Sequence, residues 1–374
     1  MESFTDRKLR VGVIFGGRSG EHEISLLSAR SVLGVLDPQR YEVTQIGITP
    51  AGTWVIGKNV LEALEKRHIS QLSMAALLPD PTWHGLFTVR KTKRGTQLKL
   101  LADLDVIFPV LHGTFGEDGT LQGLLDMAGV AYVGAGVVGS AVGMDKGVFT
   151  QVMQANNIPT VETMVVLRCE LSERLGMILS AAEEMTAYPM FTKPANLGSS
   201  VGVTKCRNRS DLLEGLVEAA RYDRRILIQR GLNAREIEVS VLGNNSPQAS
   251  VPGEVVPSRE FYSYEAKYID NASQLLIPAP IPEATTALAQ QLAVKAFKAI
   301  DCQGMARVDF LLDRDNGELY LNELNTIPGF TSISMYPKLW EACGLPYPRL
   351  VDRLIELALE RQADNQKTER HYVR

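Results

Sequence analysis

The sequence has few cysteines, few histidines and no long apolar run. Its four cysteines, Cys169, Cys206, Cys302 and Cys343, stand far apart, with no Cys-x-x-Cys pair. That excludes a disulfide framework and a cysteine zinc site, and it reads as a reduced, cytoplasmic chain. The five histidines are scattered, and His22-Glu23 lacks a second histidine at metalloprotease spacing. No stretch reaches the roughly 18 apolar residues of a membrane span. Residues 1–10 are polar and lead only into the run 11–15, too short for the core of a signal peptide. An excess of one charge is also missing: 39 Lys+Arg stand against 43 Asp+Glu, a net of −4. No membrane partner is expected from the missing apolar span, and no nucleic-acid partner from that balance. A local basic pocket for a small anion remains compatible with it.

What is present is ordinary soluble-protein material: 45% hydrophobic and 22% charged residues, enough apolar surface to offset chain entropy. A length of 374 residues suggests two or three domains. Glycines close many apolar runs, the punctuation of an α/β chain. Strands at 10–15, 41–48, 104–111 and 130–133, with helices at 21–36 and 120–128, predict an open parallel sheet over residues 1–135. Residues 53–99 read as an insertion. The segment 136–229 predicts a helix at 141–156, strands at 163–167, 190–193, 201–206 and 225–229, and a helix at 211–222. The segment 230–374 predicts strands at 236–242, 305–312 and 318–324. It ends in an amphipathic helix at 348–361, with Leu350, Leu354, Ile355 and Leu357 at helical spacing.

Three segments have the look of nucleotide loops. Gly52-Thr53-Trp54-Val55-Ile56-Gly57-Lys58-Asn59 has Walker A spacing, but Asn59 stands where a Ser or Thr hydroxyl belongs. A hairpin-like turn with no following helix is expected there. Gly134-Ala135-Gly136-Val137-Val138-Gly139 matches a dinucleotide fingerprint. No strand ending in an acidic residue follows, so close packing at a crossing of domains competes with a nicotinamide site. Lys193-Pro194-Ala195-Asn196-Leu197-Gly198-Ser199-Ser200-Val201-Gly202 carries a lysine from a strand into small residues and then a second strand. Such a loop turns backbone N–H groups toward an anion, as a lid over a nucleotide.

Residues 305–312 and 318–325 read as a hairpin. A three-residue loop, Asp315-Asn316-Gly317, puts Asp309 opposite Glu323 and Arg307 opposite Asn325. The opposite face carries Val308, Phe310, Leu312, Tyr320 and Leu324. Like charges facing each other on a sheet are destabilising, and a hard divalent cation resolves the conflict. Asp309, Glu323 and Asn325 are therefore the candidate metal ligands. The loop Thr326 to Ser334 offers N–H groups and hydroxyls to a carboxylate or an oxyanion.

Five ordered motifs then carry a resemblance. They are Gly16 to Ser25 (Gly-Gly-Arg-Ser-Gly-Glu-His-Glu-Ile-Ser), His112 to Gly119 (His-Gly-Thr-Phe-Gly-Glu-Asp-Gly), Met144-Asp145-Lys146, Lys193 to Gly202, and the hairpin with its loop to Phe330. Together they resemble the ATP-grasp superfamily, and within it the D-alanine–D-alanine ligases. The resemblance implies an α/β chain of three domains with an α+β lid. These are a Rossmann-like substrate domain over 1–135, an ATP-grasp lid domain over 136–229, and an ATP-grasp domain with metal site and mobile loop over 230–374. It implies a cytoplasmic enzyme, expected to be a homodimer, of peptidoglycan precursor synthesis. ATP phosphorylates one D-alanine, and the amine of a second attacks the acyl phosphate.

The roles that follow are likewise implied by the resemblance. Glu21 binds the ammonium of the first D-alanine, with His112 beside it. Lys146, Lys193 and Lys267 hold phosphates; Gln229, Arg230 and Leu232 face adenine; Glu236 takes the ribose. Gln229 departs from the glutamate frequent in the family. Asp309, Glu323 and Asn325 hold two Mg²⁺ or Mn²⁺ ions. Arg307 and the Gly329 N–H stabilise the tetrahedral intermediate. Ser334 and Met335 receive the second substrate. Ser199 and Tyr268 join Glu21 to close the loop, and the Phe261 to Tyr268 segment is that of ligases making D-Ala-D-Ala. A depsipeptide-forming relative, a nicotinamide-dependent oxidoreductase and a non-catalytic nucleotide binder remain as alternatives at this point.

Overall fold

The computed structural model describes residues 7–83, 85–257, 274–331 and 333–369. Lys267, Tyr268 and the rest of the 258–273 segment lie outside them.

The first sheet has eight strands: β1 (Leu9–Gly16), β2 (Tyr41–Ile48), β3 (Trp54–Ile56), β4 (Ser73–Leu77), β5 (Leu86–Thr92), β6 (Gly95–Ala102), β7 (Val106–Val110) and β8 (Ala131–Tyr132), in the order β6-β5-β4-β3-β2-β1-β7-β8. β2, β1, β7 and β8 are parallel, as predicted for residues 1–135. The expected insertion extends this sheet by four antiparallel strands, β3 to β6. The Walker-like segment is thereby explained, because β3 runs through it and pairs with β2. Contrary to expectation a six-residue helix, Val60–Glu65, follows directly, with Asn59 at its start in the left-handed conformation.

The second sheet, β9 (Thr163–Leu167), β10 (Met190–Pro194), β11 (Thr204–Cys206) and β12 (Arg225–Arg230), is ordered β11-β10-β12-β9 and wholly antiparallel. The helices Leu171–Met185 and Arg209–Tyr222 bury Leu179, Leu212 and Leu216 in its core. The third sheet contains β13 (Ala234–Gly243), β14 (Gln248–Ala249), β15 (Gly253–Val256), β16 (Gln274–Leu276), β17 (Gly304–Asp313) and β18 (Leu319–Asn325). Its apolar face packs on the helix Glu283–Ala299 through Val308, Phe310, Ala293 and Phe297. The first and last parts of the chain share one core, in which Phe108 and Val133 join Phe330, Tyr336 and Leu354.

Two local expectations change. The helix predicted over 141–156 is two helices, Val137–Met144 and Lys146–Ala155. The break falls at Asp145, whose extended backbone and side-chain carboxylate cap the second helix. The β17–β18 turn is also one residue longer than expected: the Asp313 N–H donates to the Glu318 carbonyl at 2.9 Å, leaving Arg314 to Gly317 as the loop. That register pairs Leu312 with Leu319 and Phe310 with Leu321. Continued, it would put Asp309 opposite Asn322. A β-bulge there restores the pairs Asp309–Glu323 and Arg307–Asn325. The expected pairing is thus reached by a different route. Before the bulge the faces are reversed: Leu319 and Leu321 are buried, and Tyr320 leaves the core face assigned to it, lying beneath the Arg230 guanidinium.

Candidate active site

The site begins where β1 ends. Gly16 has a φ of 90°, and a Cβ there would lie 2.2 Å from the Ile48 carbonyl oxygen, so no other residue fits. The Ser25 hydroxyl accepts from the Gly16 N–H at 2.8 Å and donates to the Val110 carbonyl. This ties together the carboxyl ends of β1 and β7, the region of an open α/β sheet that binds ligands. Glu21 stands at the start of the helix His22–Val35. The Ser199 hydroxyl donates to Glu21 Oε1. Cβ atoms on Gly113 and Gly198 would come within 2.7 and 3.1 Å of Glu21 Oε2. One carboxylate therefore joins the first sheet to the loop between β10 and β11.

His112 is buried, with both ring nitrogens engaged. Its Nδ1 donates to the Ile327 carbonyl at 3.2 Å, and its Nε2 lies 3.0 Å from the Ser28 hydroxyl. Burial lowers its basicity, which keeps the ring neutral in this setting. It links the first sheet to the loop after β18. Glu117 accepts from the Gly113 N–H at 2.7 Å. Burial first, and the charge of Glu21 second, push its carboxyl up to about 8, so it keeps its proton at neutral pH.

Cations come from beyond the first sheet. Lys146 opens the helix Lys146–Ala155, donates to the Leu197 carbonyl at 2.9 Å and lies 3.4 Å from Glu323 Oε2. Lys193 is on β10, where burial pushes its ammonium down to about 8 against the opposing charge of Glu323. On the hairpin, Arg307 Nε and Nη2 donate to the two Asp309 oxygens at 2.7 Å each, and Nε is 3.0 Å from Glu238 Oε2. The Asn325 amide donates to Asp309 Oδ2 at 3.0 Å. Among the described residues no three His, Cys, Asp or Glu side chains group as a metal site. The candidate metal set is two carboxylates, Asp309 and Glu323, with the Asn325 amide, all hard oxygen donors that fit Mg²⁺ or Mn²⁺.

A cavity of about 70 Å³ is lined by Glu21, His112, Glu117, Lys146, Ser199, Arg307, Glu323, Asn325 and Gly329, among others. Residues predicted from distant motifs thus converge. Asp309 reaches this group through Arg307 and Asn325. Gln229 and Arg230 end β12, where Gln229 donates to the Thr163 hydroxyl at 3.1 Å and Arg230 meets Glu162 at 2.6 Å. Leu232 follows in the connection to β13, and Glu236 lies on β13 opposite Leu311. The Ser334 hydroxyl lies 2.8 Å from that of Thr331, beside Gly329. The Met335 side chain packs with Val255 and Leu339 instead of lining the cavity.

Sequence reasoning passed over two groups here. Glu117 was visible as an acid in a glycine-rich motif, but its burial was not. Asp145 sat in a quoted motif as a neighbour of Lys146, and an aspartate before a helical run is a readable capping signal. Its partner Arg225 had no signal.

The D-ala D-ala ligase N-terminus family matches residues 10–135, and the D-ala D-ala ligase C-terminus family matches residues 152–356. The D-alanine–D-alanine ligase of Heliobacterium modesticaldum is 49% identical over 360 residues, covering 96% of this chain and 97% of that protein. That of Chloroherpeton thalassium is 48% identical over 364 residues, covering 96% and 98%. Among solved structures, the D-alanine-D-alanine ligase from Coxiella burnetii superposes with a TM-score of 0.80 at 36% identity, covering 96% of each chain. The VanG D-Ala:D-Ser ligase from Enterococcus faecalis gives 0.83 at 31%, covering 94% of this chain and 100% of that one. With both family halves matched and their motifs meeting in one cavity, the chain belongs to the D-alanine–D-alanine ligase family.

Proposed function

We infer that this chain joins two D-alanine molecules to D-alanyl-D-alanine at the expense of ATP, for peptidoglycan precursor synthesis. The observation that carries this reading is the convergence of Glu21, Ser199, Lys146, Arg307, Glu323, Asn325 and Gly329 on one cavity. The chain works as three lobes, 1–135, 136–229 and 230–374, in a cytoplasmic homodimer, with small molecules as its only substrates. Among the described residues no helix is long and apolar enough to cross a membrane.

Glu21 receives the ammonium of the first D-alanine, and the neutral His112 props the loop behind its carboxylate. Lys146 and Lys193, joined by Lys267 from outside the described residues, hold the phosphates as point charges. Gln229, Arg230 and Leu232 border the adenine, and Glu236 the ribose. Arg307 and the Gly329 N–H face the oxygen that becomes negative when the second amine attacks. Ser334 and the backbone at Met335 take the second carboxylate. Ser199 and Tyr268 tie the closing loop to Glu21 and exclude water from the acyl phosphate. Asp309, Glu323 and Asn325 would hold the divalent cations. Bound there, they neutralise phosphate charge.

The test is ADP release coupled to an optical readout, with Mg²⁺ and D-alanine. D-alanine-dependent turnover is expected, and its absence would sink the reading. D-serine and D-lactate, offered beside D-alanine, are expected to be poor second substrates.

A further inference from the structure

We propose that Asp145 and Arg225 form a positioning pair that sets Lys146 and the loop 195–202 as one unit for the nucleotide phosphates. The proposal rests on the ligase reading only through the nucleotide. Asp145 divides its two oxygens between two tasks. Oδ1 accepts from the N–H groups of Gly147 and Val148, both at 3.0 Å, and so caps the helix that Lys146 opens. Oδ2 accepts from Arg225 Nη1 and from the Asn196 amide, the latter at 3.2 Å. Asn196 in turn donates through its backbone and its amide to Asp223 Oδ2, at 2.8 and 3.0 Å.

The backbone carries the same connection. The Lys146 N–H donates to the Ala195 carbonyl at 3.1 Å, and the Ala195 N–H to the Arg225 carbonyl at 3.0 Å. The Lys146 ammonium closes the circuit on the Leu197 carbonyl. The ion pair is well shielded, with side-chain exposures of 16% for Arg225 and 12% for Asp145. Gly147 leaves room for the guanidinium, since a Cβ there would lie 2.8 Å from Arg225 Nη2. A lysine at a helix start and the base of a glycine-rich loop are therefore held by one carboxylate. Asp145 and Arg225 do not line the cavity, so they act through Lys146 and the loop.

Asp145→Asn separates the two tasks: an amide oxygen still caps the helix, while the link to Arg225 loses its charge. Arg225→Gln breaks the same link from the other side, and Arg225→Lys partly restores it. Binding of a non-hydrolysable ATP analogue with Mg²⁺ is measured by calorimetry on the full chain. Both breaking variants should weaken binding about tenfold, a change of about 1.4 kcal/mol in affinity. The melting temperature of Asp145→Asn should fall, because a shielded guanidinium loses its charged partner, whereas the KM for D-alanine should stay near wild type. The double variant should be no worse than the weaker single, and Arg225→Lys should recover most of the affinity. Equal rises in the KM for ATP and for D-alanine, additive losses in the double variant, or a lowered melting temperature with unchanged nucleotide binding would each overturn the proposal. Nucleotide binding by a wild type that shows no D-alanine-dependent turnover would remove the ligase reading and leave this pair intact.

Discussion

In the segment 134–139, Gly139 is pressed against protein backbone, whereas Gly198 in the loop 195–202 faces a carboxylate at the edge of a cavity. A Cβ on Gly139 would lie 3.1 Å from Cys302 Cα, and one on Gly304 would lie 3.2 Å from the Gly134 nitrogen. The Gly134 carbonyl accepts from buried Arg361, whose guanidinium also donates to the Tyr132 carbonyl at 2.7 Å. The segment that matched a dinucleotide fingerprint is thus a packing joint between the first sheet and the last helix. In the other loop Ser199 and Ser200 hold left-handed φ values of 53° and 59°, and the nearest group to Gly198 is the Glu21 carboxylate. Both stretches use glycine to admit a close neighbour. The neighbour's identity, backbone or ligand group, is what separates a joint from a site.

The comparison predicts losses of different kinds. Lys193→Met, at the base of the site loop, should lower kcat/KM by about 10²–10³, the cost of one lost charge-stabilising donor. Its urea midpoint should not fall, because the substitution removes a desolvated charge. A drop in stability with normal turnover would make this loop a joint as well. Arg361→Met, at the joint, should do the reverse: urea titration should show a loss of about 2–3 kcal/mol, because two buried carbonyls lose their donor. The KM for ATP of the folded protein should be unchanged. Gly139→Val should cost about 1–3 kcal/mol by overpacking, read as a lower thermal midpoint, with no effect on nucleotide affinity.

Burial holds Lys193 down to about 8, below the ordinary lysine value of 10.5, so the protonated form prevails only below that pH. Kcat/KM for ATP should be level below about pH 8 and fall about tenfold per unit above it. Lys193→Arg, charged throughout, should remove that break. A wild-type profile level to pH 10 would place the phosphate charge elsewhere.

Much of the fold was legible because it follows from short-range rules. Alternation along β17 marked Arg307 and Asp309 as sharing one face and Val308 and Phe310 as facing the core, and the burial pattern agrees. The helix Thr120–Ala128 begins and ends at the residues its glycines announce, Gly119 and Gly129. The Asp309–Glu323 pairing was legible too, although through a turn that is one residue longer. The bulge at Asn322 carries no sequence signature, so the misplaced Tyr320 could not be foreseen.

What the sequence determined by itself was therefore much of the inventory: the principal strands and helices, though not the helices Val60–Glu65 and Leu171–Met185, the motif set, and the residue types able to hold phosphate, metal and carboxylate. Tertiary structure decided which of them meet. Arg225 and Asp145 are 80 residues apart, and Arg361 and Gly134 are 227 apart. Backbone sterics and side-chain alternation act over a few residues and leave a readable pattern. Contacts across such distances depend on how three sheets pack. That packing also set the burial that keeps Glu117 protonated at neutral pH and brings Lys193 down to about 8.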